Sequence, residues 1–239
     1  AITESGDKAV VVTPAYPGAD DSGFSFPVVR YPSIDMTKLV GYHAGFPFSE
    51  KTMQTLMEYP FDLIHCHCPI TSAVLARELR ARIHVPTVFT YHTKFDIDIA
   101  NAIHAKLLQE GAKKLLVDNI SAFDEVWTVS HGAGENLRSL GYQGDWRVMP
   151  NGVDFARGRV PETDVHAVCR EFDLPENVPV FLFVGRMMWY KGLRITLDAL
   201  KKLKDGGHPF RMVFVGSGGD KDEVVAYACL LYTSPSPRD

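Results

Sequence analysis

Three residues in one short stretch, Phe183-Val-Gly-Arg-Met-Met-Trp-Tyr-Lys-Gly192, are the ones in this chain best suited to do chemistry. Gly185 lets backbone approach a ligand closely, Arg186 offers a planar fork that fits two phosphate oxygens, and Lys191 adds a mobile point charge. The ligand they would take is an anion, most simply a phosphate or diphosphate. A surface turn with two solvated cations accounts for the same three residues, since Gly, Arg and Lys are common in turns.

The elements that must position them are legible around the stretch. Val178 to Val184 is an unbroken apolar run of strand length, and Leu193, Leu197, Leu200 and Leu203 then recur at helical spacing until Gly206-Gly207. A second apolar run, Phe210 to Val215, follows. Strand, loop, helix and strand make a βαβ unit, and runs apolar on both faces predict a parallel sheet covered on both sides. The loop then lies at the carboxyl end of a parallel strand, where open α/β sheets bind ligands, beside a helix start whose free N–H groups favour anions.

At 239 residues and 46% hydrophobic, the chain is long enough for one large or two ordinary globular domains. A net charge of −4 argues against a general nucleic-acid binder, so an anion site must be a local cluster. No apolar run approaches the roughly 20 residues that span a bilayer, and no basic-then-apolar leader is present. A cytoplasmic protein is expected. Cys66, Cys68, Cys169 and Cys229 form no zinc or redox pattern and read as reduced thiols. The chain opens without a methionine and closes in Leu230-Leu-Tyr-Thr-Ser-Pro-Ser-Pro-Arg-Asp239, a decapeptide resembling translated adapter sequence. The expectation is a fragment with a non-native tail at 229–239.

Earlier in the chain, Lys8 to Thr13 reads as a buried strand ended by Pro14, and Phe26 to Tyr31 as another short strand. Ser49 to Tyr59 is helix-like with Ser49 as N-cap, Phe61 to Cys68 is a strand halted by Pro69, Thr71 to Ile83 a helix, and Val85 to Tyr91 a strand. Ala100 to Phe123 holds the longest helical pattern, with Ile103, Leu107, Leu108, Leu115 and Leu116 taken as its apolar side. Asp124 to Val129 is a strand, and Ser130 caps a helix that Gly141 stops. This alternation is a doubly wound α/β domain. It spans 1–154, 155–177 is a connector, and 178–228 is a second, truncated domain.

Taken in order, Ile64-His-Cys-His67, Thr90-Tyr-His-Thr93, Thr128-Val-Ser130, Asn151-Gly-Val-Asp154 and Gly185-Arg186 with Lys191-Gly192 resemble family 4 of the glycosyltransferases, retaining enzymes of the GT-B architecture. Tyr31-Pro-Ser-Ile34, Thr90-Tyr-His-Thr93 and Gly132-Ala-Gly-Glu-Asn-Leu137 look most like the diacylglycerol glucosyltransferase branch. The resemblance implies two Rossmann-like domains, the N-terminal one on the acceptor side and the second binding a nucleotide diphosphate sugar, most simply UDP-glucose. It implies transfer of a hexose to a membrane lipid such as diacylglycerol, or to a sugar acceptor. It implies work without a bound metal or cofactor, and peripheral contact with an anionic inner membrane face through the basic and apolar stretch from Ala100 to Leu116, for which an ordinary packed helix with a solvated face is the alternative.

Site residues follow from the same resemblance. Arg186 and Lys191 would stabilise charge on the departing diphosphate, with Gly185, Gly216 and Gly218 at the donor, the last two in the loop Gly216-Ser-Gly-Gly219. His92, at the carboxyl end of its strand, would face the interdomain cleft beside donor sugar and acceptor; a strand-end histidine satisfied by backbone is the bland alternative. His67, Ser130 and Asn151 would line that cleft, although Ser130 also reads as an N-cap, and Asn151, Gly152 and Asp154 as a turn. His65 and His67 with Cys66 and Cys68 invite a metal site, but alternate strand residues face opposite ways, so none is expected. The resemblance places a glycine-rich loop before Ala1 and, beyond Ala228, the Glu, seven residues, Glu motif that would hold donor sugar and ribose, so the chain as given is expected to turn over little. The alternative in another class is a noncatalytic nucleotide-sugar or phosphate binding module. A dinucleotide oxidoreductase is a third reading, against which Gly216-Ser-Gly-Gly-Asp-Lys221 lacks the last glycine of the fingerprint, and the epimerases that share the GT-B fold are a further alternative.

Overall fold

A computed structural model describes residues 2–36, 43–92, 95, 99–100, 103, 105–153, 158–175 and 177–232. The chain divides into two compact units, residues 1–154 and 155–239, and each is described by itself.

In the first unit, strands β1 (Val11–Pro14) and β2 (Val28–Tyr31) pair in parallel with Val12 opposite Val29. Strand β1 starts three residues later than predicted and includes Pro14. It is not buried, because β2 is its only strand partner among the described residues. Strands β3 (Ser33–Asp35) and β4 (His43–Gly45) form an antiparallel pair that the sequence pattern does not announce. Helix α1 (Glu50–Met57) begins where the Ser49 hydroxyl accepts from the Thr52 N–H at 3.2 Å, with Glu50 complementing the positive helix end.

From there strand and helix alternate: β5 (Ile64–Cys66), α2 (Thr71–Ile83), β6 (Thr87–Tyr91), α3 (Lys106–Ser121), β7 (Glu125–Thr128), α4 (His131–Ser139) and β8 (Arg147–Val148). The four strands β5 to β8 make one parallel sheet in chain order, with Cys66 opposite Phe89 and Phe89 opposite Val126. Strand β5 is shorter than predicted, which leaves His67 and Cys68 just past its end. Helix α2 buries Ala73, Leu75, Ala76 and Leu79, carries Arg80 and Arg82 in its last turn, and ends at His84 in the left-handed region. Phe89, Tyr91, Leu116, Ile120 and Leu137 are the centre of the core and fully buried.

Helix α3 corrects the sequence reading. Leu107, Leu108 and Leu115 are 85%, 62% and 50% exposed, and the buried face is Leu116, Asn119 and Ile120. Both stripes have helical spacing, and the polar Asn119 disguises the one that is used. Its amide is satisfied inside, accepting from Arg77 Nη1 at 2.7 Å and donating to the Pro69 carbonyl at 3.0 Å.

The second unit holds α5 (Glu162–Glu171), β9 (Val180–Val184), a 3₁₀ turn at Trp189–Lys191, α6 (Leu193–Asp205), β10 (Arg211–Val215) and α7 (Lys221–Tyr232). Strands β9 and β10 pair in parallel with Phe183 opposite Phe214. Leu193 and Leu197 of α6, Met187 and Val224 of α7 form the core, with Phe183 and Phe214 packed on it. Predicted cover on both sides of β9 is not what the structure shows: Leu182 and Val184 are 64% and 69% exposed. Helices α6 and α7 serve one face of the two-stranded sheet, and no described residue of this unit buries the other. Helix α7 continues to Tyr232, whose hydroxyl donates to the Leu197 carbonyl at 2.9 Å, so the boundary drawn at 229 falls inside a helix. No helix among the described residues is long and apolar enough to cross a membrane.

Candidate active site

The cationic stretch and the loop Gly216-Ser-Gly-Gly219 leave the carboxyl ends of neighbouring parallel strands, β9 and β10, and are stitched together by backbone. The Gly185 N–H donates to the Val215 carbonyl at 3.0 Å, Met187 N–H to the Ser217 carbonyl at 2.9 Å, and Asp220 N–H to the Met187 carbonyl at 3.2 Å. The glycines allow this approach. A Cβ on Gly216, whose φ is +142°, would lie 2.0 Å from the Gly185 carbonyl oxygen, and one on Gly218 would lie 2.4 Å from that of Met187.

Trp189 anchors the outer half of the stretch. Its backbone N–H donates to Asp220 Oδ2 at 2.8 Å and its indole Nε1 to Glu223 Oε2 at 3.0 Å, while the Arg194 guanidinium sits 4.6 Å over its ring. Arg186, Tyr190 and Lys191 are left exposed on the surface. Arg186 Nη2 donates to the Tyr190 hydroxyl at 2.6 Å, and Lys191 Nζ stands 5.3 Å from the Tyr190 ring centroid. Helix α6 begins immediately after, with Gly192 at its N-cap and no side chain capping its first N–H groups. Two cations and an uncapped helix end are thus gathered at one strand terminus, an arrangement that favours an anion.

In the first unit a different cluster forms. His67 follows β5 and His92 follows β6, and because those strands are parallel neighbours the two imidazoles meet, Nδ1 of His67 at 2.8 Å from Nε2 of His92. One ring donates and the other accepts. His65 Nε2 lies 2.7 Å from Thr90 Oγ1, and its ring is 4.2 Å from that of His67 and edge-on to Trp127. Burial, then the neighbouring imidazoles His65 and His92, push His67 down to about 4, and burial likewise lowers His65 and His92. His67 is therefore neutral near pH 7 and serves as a hydrogen-bonding group rather than a cation. An apolar cavity of about 210 Å³ lies against β5, with Val12, Tyr31 and Leu75 in its wall alongside His65 and His67.

The remaining candidates separate. Cys66 is buried, donates to the Cys68 carbonyl at 3.3 Å, and has its thiol pushed up to about 12 by burial. No group of three or more His, Cys, Asp or Glu among the described residues is placed to hold a metal ion. Ser130 caps α4, its hydroxyl accepting from the Ala133 N–H at 3.2 Å. Asn151 is exposed on the loop after β8, and Asp154 and Thr93 lie outside the described residues. The structure therefore joins Gly185, Arg186, Lys191, Gly216 and Gly218 in one unit and His67 and His92 in the other. Sequence reasoning assigned no role to Tyr190, and names Thr90 only as part of the motif Thr90-Tyr-His-Thr93. The signal for Tyr190 was an aromatic set between the two cations.

A family model described as Glycosyltransferase Family 4 matches residues 1–157, and one described as Glycosyl transferases group 1 matches 167–231. A Bacillus subtilis (strain 168) protein, TuaC, named for glycosyl transfer in teichuronic acid biosynthesis, is 28% identical over 72% of this chain and 41% of its own length. The 2-deoxystreptamine glucosyltransferase of Streptomyces kanamyceticus is 24% identical over 100% of this chain and 68% of its own. The alpha-monoglucosyldiacylglycerol synthase of Streptococcus pneumoniae (strain ATCC BAA-255 / R6) is 19% identical over 80% and 44%. The chain thus spans less than half the length of two of these three relatives. The crystal structure of Anabaena Alr3699/HepE in complex with UDP and glucose superposes with a TM-score of 0.64 at 20% identity, covering 87% of this chain and 53% of that one. That likeness shows the fold, α/β of the GT-B type with Rossmann-like domains.

Proposed function

We propose, for a chain that belongs to Glycosyltransferase Family 4, that it serves a retaining enzyme moving a hexose, glucose from UDP-glucose, to a membrane lipid such as diacylglycerol. The observation that carries the reading is the pairing of Arg186 and Lys191 on a loop stitched to Gly216-Ser-Gly-Gly219 at the carboxyl ends of β9 and β10. Breaking the anomeric C–O bond of the donor leaves negative charge on the diphosphate. Cations fixed there stabilise the transition state more than the ground state, and they can do so in place of a divalent metal. A charge-assisted hydrogen bond contributes roughly 1.5–3 kcal/mol, so loss of either cation costs at least about tenfold in turnover.

Gly185, Gly216 and Gly218 bring backbone to the donor in this account. His92, held by His67, offers a neutral hydrogen-bonding group to the sugar. Residues 1–154 take the acceptor side and residues 178–228 the donor. The lipid acceptor draws support from the sequence segments named above and from the Streptococcus relative. It also draws support from α3, where Leu107, Leu108 and Leu115 are exposed, apolar area suited to lying in a membrane interface.

The test is an assay of the full-length gene product with radiolabelled UDP-glucose and a mixture of diacylglycerol vesicles and soluble sugars. Label is expected in lipid, falling at least about tenfold in Arg186→Ala. Label found only in soluble acceptors would sink the lipid assignment. Saturable donor binding with no transfer to any acceptor would favour a noncatalytic binding module.

A further inference from the structure

We infer that Tyr190 is a positioning residue that holds Arg186 and Lys191 together as one diphosphate cradle. The inference rests on the loop being the donor phosphate site and goes beyond it, since neither the family match nor the pairing of the cations calls for an aromatic here. Two long cationic side chains at one strand end repel each other and sample many rotamers, so without a common restraint they would not present a fixed pair of charges. Tyr190 supplies that restraint from two chemically distinct parts. Its hydroxyl oxygen accepts from Arg186 Nη2 at 2.6 Å, and its ring, electron-rich on the face, stands 5.3 Å from Lys191 Nζ.

The fold explains why Tyr190 is free to do this. Residue 189 is fixed inward by Asp220, Glu223 and Arg194, so the 3₁₀ turn at Trp189–Lys191 presents the next side chain to solvent, where it is 43% exposed. Its aromatic ring does not belong to the core of the unit. A role in folding therefore does not account for it.

The two contacts can be separated by binding of inorganic pyrophosphate, measured by titration calorimetry. Tyr190→Ala is expected to weaken binding about three- to tenfold, because two rotamer-rich side chains must then be ordered by the ligand alone. Tyr190→Phe keeps the ring and loses only the contact to Arg186, so its effect is smaller. Coupling decides the matter. In an Arg186→Ala background Tyr190→Phe has no further effect, whereas Tyr190→Ala still weakens binding through Lys191. In a Lys191→Ala background Tyr190→Phe and Tyr190→Ala become equal. Melting temperatures of the Tyr190 variants should match the parent. If Arg186→Ala and Lys191→Ala weaken binding while both Tyr190 variants bind like the parent, the positioning role is overturned and the donor reading survives. If the parent does not bind, or binds equally without the two cations, the donor reading falls and takes the inference with it.

Discussion

Strands β6, Thr87-Val-Phe-Thr-Tyr91, and β9, Val180-Phe-Leu-Phe-Val184, are each five residues long, yet β6 is buried at every position and β9 is exposed at four. By composition β9 is the more apolar of the two. The difference lies in their neighbours. Strand β6 runs between β5 and β7, with Phe89 and Tyr91 packed into the cluster of Leu116, Ile120 and Leu137 and Thr90 turned to His65. Among the described residues, strand β9 has one strand neighbour, β10, and packs only Phe183 against the core of its unit. Apolarity on both faces states that a strand needs cover; it does not state that the same unit provides it.

Substitution in the two strands should separate them most strongly. Phe89→Ala removes a fully buried ring and should cost about 3–5 kcal/mol of stability, while Leu182→Ala in β9 should stay within about 0.5 kcal/mol. Equal losses in urea denaturation would erase the comparison. Leu197→Ala, at a position 2% exposed under β9's one covered face, should cost about 2–5 kcal/mol. A negligible effect there would mean that the second unit has no working core at all.

Acid should act on the first unit. The His67 imidazole titrates at about 4 when folded and near 6.5 when unfolded, so the unfolded chain takes up the proton first. The stability contributed by neutral His67 is fully present above pH 6.5 and declines as pH falls toward 4. His67→Asn should flatten that part of a stability–pH profile, and an unchanged slope would place the acid sensitivity elsewhere. The smallest effect is expected from Leu182→Lys, which should leave the melting temperature within a degree or two while lowering self-association seen by light scattering. Unchanged scattering would show that the open face of β9 is not sticky.

What could be read from the sequence was local. Helix α2 begins and ends at the predicted Thr71 and Ile83, and Ser49 and Ser130 cap the helices they precede, because spacing and capping are settled within a turn or two of chain. The placement of Gly185, Arg186 and Lys191 on a loop between strand and helix was legible for the same reason. What depended on distant residues was not. The buried side of α3 is set by Arg77 and the Pro69 carbonyl around Asn119, and a count of leucines joined the exposed Leu107, Leu108 and Leu115 to the buried Leu116. His67 and His92 meet because β5 and β6 are adjacent, which sequence order suggests but contact geometry alone establishes. The part played by Tyr190 appears only once Trp189 is seen fastened to Asp220 and Glu223.

Arg186 and Lys191, the cations beyond β9, are proposed to receive the donor diphosphate. Equilibrium dialysis of the protein against radiolabelled UDP-glucose, with Arg186→Ala and Lys191→Ala in parallel, tests it most directly. Saturable binding is expected, weakened at least about tenfold in each variant. Binding that is unchanged when both cations are removed would contradict it.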